Sequence, residues 1–86
     1  MGRKQKLLDR LLTKPKDFRW NELESLLKQN GYQKLEGSGS RVKFYLESPR
    51  NLISLHKPHP GEILKDYQIN YVIKNLKKIG VADGND

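Results

Sequence analysis

Two histidines, His56 and His59, stand within four residues of one another in the stretch "LISLHKPHPGE", and the 86-residue chain has no others. Histidine is the side chain whose ordinary pKa lies closest to neutrality, so acid–base chemistry would be sought here first. Three readings fit the pair. As loop residues, their rings can bond to backbone carbonyls and fix a proline-rich turn. As metal ligands they lack company, because the chain has no cysteine and no third histidine. As a base, an imidazole can take the proton of a ribose 2′-hydroxyl, whose oxygen then attacks the neighbouring phosphorus. Cations around the crowded phosphorane assist that step, and no metal is required.

Cations are close at hand in the sequence. Arg41 and Lys43 alternate with Val42 and Phe44, and Lys57 lies between the two histidines. The "GSGS" stretch from Gly37 to Ser40 reads as a hairpin turn. Its glycines would also let backbone N–H groups approach a phosphate, with Ser38 or Ser40 adding a hydroxyl. It is not the phosphate loop of nucleotide hydrolases, since it lacks the Gly-Lys-Ser/Thr ending and lies between strands. The expected site therefore comprises His56 and His59 as catalytic candidates, and Ser38, Ser40, Arg41, Lys43 and Lys57 as RNA-binding groups. No metal and no cofactor are expected.

The elements that must position these residues follow from periodicity. Leu7, Leu8, Leu11 and Leu12 recur at helical spacing within Arg3 to Leu12, and Pro15 stops that helix. In "RWNELESLLKQNG", Asn21 is placed to cap a second helix, with Glu24 closing the box and Leu23, Leu26 and Leu27 forming its apolar stripe. Trp20 is expected to pack at the helix entrance, and Gly31 to end the helix in a left-handed conformation. From Tyr32 the period changes to two. "YQKL", "RVKFYL" and "LISL" read as three strands, the second with Val42, Phe44 and Leu46 on one face and Arg41, Lys43 and Tyr45 on the other. "ESPRN" is the turn between the last two. "DYQINYVIKNLKKIG" is the final helix, with Asp66 as the expected cap, Ile69, Val72, Ile73, Leu76 and Ile79 inward, and Gly80 at its end.

The order is α-α-β-β-β-α, an α+β fold with a three-stranded antiparallel sheet that needs helices over its apolar face. A single domain is expected over 1–86, with 3–12 an accessory helix, 20–81 the core and 82–86 a short tail. Seventeen Lys and Arg against ten Asp and Glu give a formal charge of +7, which favours a polyanion or an acidic protein as partner. The absence of cysteine excludes disulfides and thiolate zinc sites. No apolar run approaches the roughly 18 residues of a membrane span, and the N-terminus has no signal-peptide pattern, so a cytoplasmic protein without a membrane partner is expected.

Four stretches together, "LLKQNGY", "EGSGSRVKFYL", "LISLHKPHPGEI" and "INYVIKNLKKIG", give the chain from about Trp20 to Val81 a resemblance to the HicA family of small bacterial toxins. The resemblance implies a fold like the double-stranded RNA-binding domain, to which the Arg3 to Leu12 helix is an addition. It implies a metal-independent endoribonuclease that cleaves mRNA, and a HicB-like antitoxin with an acidic face that covers the basic site. Its pattern places one catalytic histidine at the start of the second strand, in a Gly-Ser-x-His setting. Ser40 stands there in this chain, and a serine does not act as a base near neutral pH. The family's second histidine matches His59, whereas His56 is extra. Either His56 or His59 serves as the base of a rearranged site, or the chain binds RNA or protein without efficient cleavage. His56, nearer the strand, is the preferred base, because His59 is clamped between Pro58 and Pro60.

Overall fold

The computed structural model describes residues 3–37, 39–58 and 61–81. The chain runs through α1 (Arg3–Leu12), α2 (Trp20–Gln29), β1 (Gln33–Glu36), β2 (Arg41–Glu47), β3 (Arg50–His56) and α3 (Asp66–Lys78). This is the expected α-α-β-β-β-α order, and the three strands form one antiparallel sheet in the order β1-β2-β3. Ser38, His59 and the 82–86 tail, all named from the sequence, lie outside the described residues.

Alternation along β2 sets the architecture. Val42, Phe44 and Leu46 are buried on one face, joined there by Ile53 and Leu55 of β3. That inner face is covered by α2, through Trp20, Leu23, Leu26 and Leu27, and by α3, through Ile69, Val72, Ile73 and Leu76. All of these residues belong to one continuous core, so the two helices lie on the same side of the sheet. Trp20 packs into it as expected, its ring centroid 5.9 Å from that of Phe44 at a 50° tilt. α1 packs against α2 and α3 rather than the sheet. Its buried edge is Leu7, Leu8 and Leu11, while Leu12, expected in the stripe, is exposed at the helix end.

Both expected helix caps are corrected. α2 begins before Asn21: Arg19 occupies the cap position, and Glu22 rather than Glu24 accepts its N–H, at 2.9 Å. The reason is tertiary. Arg19 and Ile63 form an antiparallel bridge, in which Trp20 N–H donates to the Glu62 carbonyl (2.8 Å) and Leu64 N–H to the Phe18 carbonyl (2.9 Å). A helix N–H that would otherwise need a capping side chain is thereby satisfied by another segment. Glu24 instead accepts the Trp20 indole N–H at 3.0 Å. In α3, Asp66 is the first helical residue, and the Gln68 side chain accepts the N–H of Lys65 at the cap position (3.0 Å).

Gly31 follows α2 with φ of 95°, the left-handed conformation anticipated for it. A polar chain then ties the layers together. Tyr32 donates its hydroxyl proton to Asn51 Oδ1 (2.6 Å), Asn51 Nδ2 donates to Asn75 Oδ1 (3.1 Å), and Asn75 Nδ2 donates to the Tyr71 carbonyl (2.9 Å). Burial pushes the Tyr32 phenol up to about 12.

Leu26 and Val72 are wholly buried on the two helices that face the sheet. Truncating either to alanine should cost about 1 to 4 kcal/mol in urea denaturation, a large share of the stability of a domain this small. Leu52→Ala, on the exposed outer face, should stay within about 0.5 kcal/mol of the unchanged protein.

Candidate functional site

The inward burial of Val42 and Leu55 fixes what lies outward. β2 and β3 pair with Val42 opposite Leu55, which sets Arg41 directly across from His56 and Lys43 across from Ser54. Directly opposed residues share a face, with Cβ atoms about 4.5–5.5 Å apart. Arg41, Lys43, Ser54 and His56 therefore share the outer face. β1 adds Leu35 beside Lys43 and Gln33 beside Tyr45. The strand holding His56 is longer than the expected "LISL": it runs from Arg50 to His56, so His56 is its last residue and not a loop residue. The preceding turn contracts to Ser48 and Pro49.

His56 is exposed, and its Nδ1 lies 3.2 Å from Ser40 Oγ. When the hydroxyl accepts, Nδ1 carries the ring proton and Nε2 keeps its lone pair. When the hydroxyl donates, the roles reverse. Ser40 is fixed in turn, because the Lys57 N–H donates to its carbonyl at 2.8 Å and extends the β2–β3 pairing past His56. Neither Arg41 nor Lys43 has a carboxylate partner among the described residues. Lys57 lies 3.4 Å from Glu62.

Two hollows flank this point. One, of about 170 Å³, lies beneath the turn and is lined by Trp20, Lys34, Glu36, Gly39, Ser40, Arg41, Val42 and Lys57. Lys34 is shared there between Glu24 and Glu36. Burial pushes the Glu24 carboxyl up, but the Lys34 ammonium and the Trp20 indole outweigh it and hold the group below its ordinary value. The Glu24 carboxylate correspondingly raises Lys34. Lys34 is thus engaged internally, Arg41 has no carboxylate partner among the described residues, and Lys57 can meet a ligand by exchanging its longer 3.4 Å pairing with the exposed Glu62. The other hollow, about 350 Å³, lies between the edge of β3 and the first turns of α3, lined by Ser54, Leu55, His56, Tyr67, Gln68 and Tyr71.

The sequence-derived residues thus divide. Ser40, Arg41 and His56 come together, Lys43 lies one pair along the same face, and Lys57 opens into the hollow below the turn. Ser38 and His59 lie outside the described residues. Missing from the sequence reading were Gln68, Tyr67 and Tyr71. Gln68, only 2% exposed, accepts from Lys65 N–H and donates through Nε2 to the His56 carbonyl at 2.9 Å. A glutamine in line with the apolar positions of α3 was the available signal. Among the described residues no three His, Cys, Asp or Glu side chains converge on a metal-sized site, and no helix is long and apolar enough to cross a membrane.

Residues 20–81, from the first residue of α2 to just past α3, match the model of the family described as HicA toxin of bacterial toxin-antitoxin. α1 lies outside the matched stretch. Neither the curated proteins nor the solved structures compared with the chain include a significant match.

The amide of Gln68 holds the end of β3 to the start of α3, so its loss should be felt at both. Gln68→Leu leaves the His56 carbonyl and the Lys65 N–H without a partner and should cost about 1 to 3 kcal/mol in equilibrium denaturation. Gln68→Glu keeps an acceptor for Lys65 but sets an oxygen against the His56 carbonyl. It should be destabilised too, and in both variants the His56 imidazole NMR signals should shift.

Proposed function

Because the chain belongs to the HicA toxin family, we propose that it is a metal-independent endoribonuclease whose base is His56. Support comes from one juxtaposition: the His56 ring is held against Ser40 Oγ at 3.2 Å, directly across the strand pair from Arg41. With Nδ1–H donating to the serine oxygen, Nε2 accepts the proton of a ribose 2′-hydroxyl. The 2′-oxygen bonds to the adjacent phosphorus, the bond from phosphorus to the 5′-oxygen breaks, and the departing oxygen takes a proton from water. Arg41 and Lys57 offset the charge that gathers on the phosphoryl oxygens, where fixed cations are worth most. Lys43 holds the strand one step along. The products are a 2′,3′-cyclic phosphate and a 5′-hydroxyl, and DNA is not a substrate because it lacks the nucleophile.

On this reading Ser40 is not a degraded catalytic position. It orients the imidazole that it touches from the neighbouring strand position, so the base stands at the end of β3 instead of the start of β2 while the site stays in place. The neutralising partner is a HicB-like antitoxin with an acidic face. The outer sheet face suits such a cover, since the exposed Leu35 and Leu52 lie among Lys43, Tyr45 and Arg41. An acidic partner would associate quickly with this surface and exclude RNA from it.

The test is cleavage of a defined RNA, in the presence of a chelator, by the unchanged protein and by separate His56→Ala and His59→Ala variants of verified fold. His56→Ala should slow cleavage roughly 100-fold or more with little change in RNA affinity, as expected for a group needed mainly in the transition state. Activity that survives His56→Ala but not His59→Ala would move the base to His59. No cleavage by the unchanged protein across several RNAs would leave a binding module of the same fold as the better account.

A further inference from the structure

We propose that the hollow between β3 and α3 is a stacking pocket for one unpaired nucleobase of the RNA, with Tyr67 as its platform; the inference rests on the ribonuclease reading above and deepens it. Tyr67 is 67% exposed at the second position of α3, the most exposed of the large hydrophobic side chains among the described residues. Nothing in the packing of the core calls for an aromatic ring there. Four residues along the same helix face stands Tyr71. Both rings line the roughly 350 Å³ hollow, whose remaining walls are Ser54, Leu55, His56 and Gln68.

The chemistry of the walls selects the occupant. Flat, largely apolar walls suit an aromatic ring, and every nucleobase offers a π-face to such a platform. The pocket also has a polar handle. The Tyr71 hydroxyl accepts the Ser54 N–H at 3.1 Å, and no acceptor for its own proton is found among the described residues, so it can donate to the edge of a base. The walls are stiff where stiffness matters, because Gln68 bonds to both the His56 carbonyl and the Lys65 N–H.

Charge decides between a nucleotide and an apolar peptide. His56 and Lys57 are consecutive, and they line different hollows: His56 the aromatic one, Lys57 the one it shares with Arg41. An aromatic seat and a cationic seat on either side of one imidazole are the arrangement a nucleotide needs, with its base on one side and its phosphate on the other. The chemistry asks for the same thing. A ribose in a stacked helix does not hold its 2′-oxygen in line with the leaving 5′-oxygen, and drawing one base out of the stack frees the sugar to reach that alignment. Specific RNA recognition commonly works this way, with a splayed base on an aromatic ring.

The experiment measures binding without cleavage, using a short mixed-sequence oligoribonucleotide carrying 2′-O-methyl groups throughout and anisotropy as the readout. Tyr67→Ala should weaken binding about 5- to 100-fold, the range for loss of one base–aromatic stack. Tyr67→Phe and Tyr67→Trp should bind as the unchanged protein does. The same strand with single abasic residues placed in turn should lose affinity for the unchanged protein at one position and show no such dependence with Tyr67→Ala. Equal affinity of Tyr67→Ala and the unchanged protein, or equal losses in the alanine and phenylalanine variants, would overturn the pocket. So would a Tyr67→Ala variant that keeps its RNA affinity but binds a protein partner less tightly, since the hollow would then be a protein-docking site. Cleavage of ordinary RNA is followed in parallel. An unchanged protein that binds in a Tyr67-dependent way without cleaving would contradict the ribonuclease reading alone, and one that cleaves with no dependence on Tyr67 would contradict the pocket alone.

Discussion

The register between β2 and β3 is the constraint on which the site depends. Val42 faces Leu55 and Phe44 faces Ile53, all four buried, and this alone places Arg41 against His56 on the outer face. Side chains alternate along a strand, so a slip of one residue would turn the apolar set to solvent and bury the cations. Burying four large side chains is strongly favoured over exposing them, and an unpaired Arg or Lys inside would be prohibitive. The chemistry on one face is therefore held in place by the oil on the other. The placement of Arg41 and His56 on one face thus comes from the core, and the contact with Ser40 adds the orientation of the ring.

Beyond the last regular pair, the positioning passes to a few hydrogen bonds. The Lys57 N–H to the Ser40 carbonyl carries the ladder one step past His56, and Gln68 secures the His56 carbonyl from α3. The segment that follows β3 is fastened again where Arg19 and Ile63 pair. Each end of the site is thus tied to a different helix, while the face that would meet RNA keeps Arg41 and Lys43 without internal carboxylate partners among the described residues. Two of the cations behind the charge of +7 are therefore free of carboxylates on that face.

Much of the fold was legible because burial periodicity is written directly into residue types. The change from a helical to a two-residue period near Tyr32, and the alternation of Val42, Phe44 and Leu46 with Arg41, Lys43 and Tyr45, carried the order of elements and the cationic face. Helix starts were less legible. Asn21 and Asp66 have the right chemistry for caps, yet the backbone bridge at Arg19 and the reaching back of Glu22 and Gln68 start both helices earlier, and a distant strand-like pairing leaves no local mark. The site was half legible. Arg41, Ser40 and His56 could be named from spacing, but their meeting depends on register across a hairpin. The hollow that Tyr67, Gln68 and Tyr71 line beside His56 depends on where the first turns of α3 lie against the edge of β3. That placement is a property of the whole core.

Whether a ribose 2′-oxygen is the nucleophile at this site decides whether the chain is the proposed ribonuclease. The direct measurement is a strand of deoxyribonucleotides containing a single ribonucleotide, incubated with the protein and a chelator, with the chemical ends of the products determined by mass spectrometry. Cleavage only on the 3′ side of the ribonucleotide, leaving a 2′,3′-cyclic phosphate and a 5′-hydroxyl, is the predicted result. Cleavage at deoxyribonucleotides, or products ending in a 3′-hydroxyl and a 5′-phosphate, would contradict it.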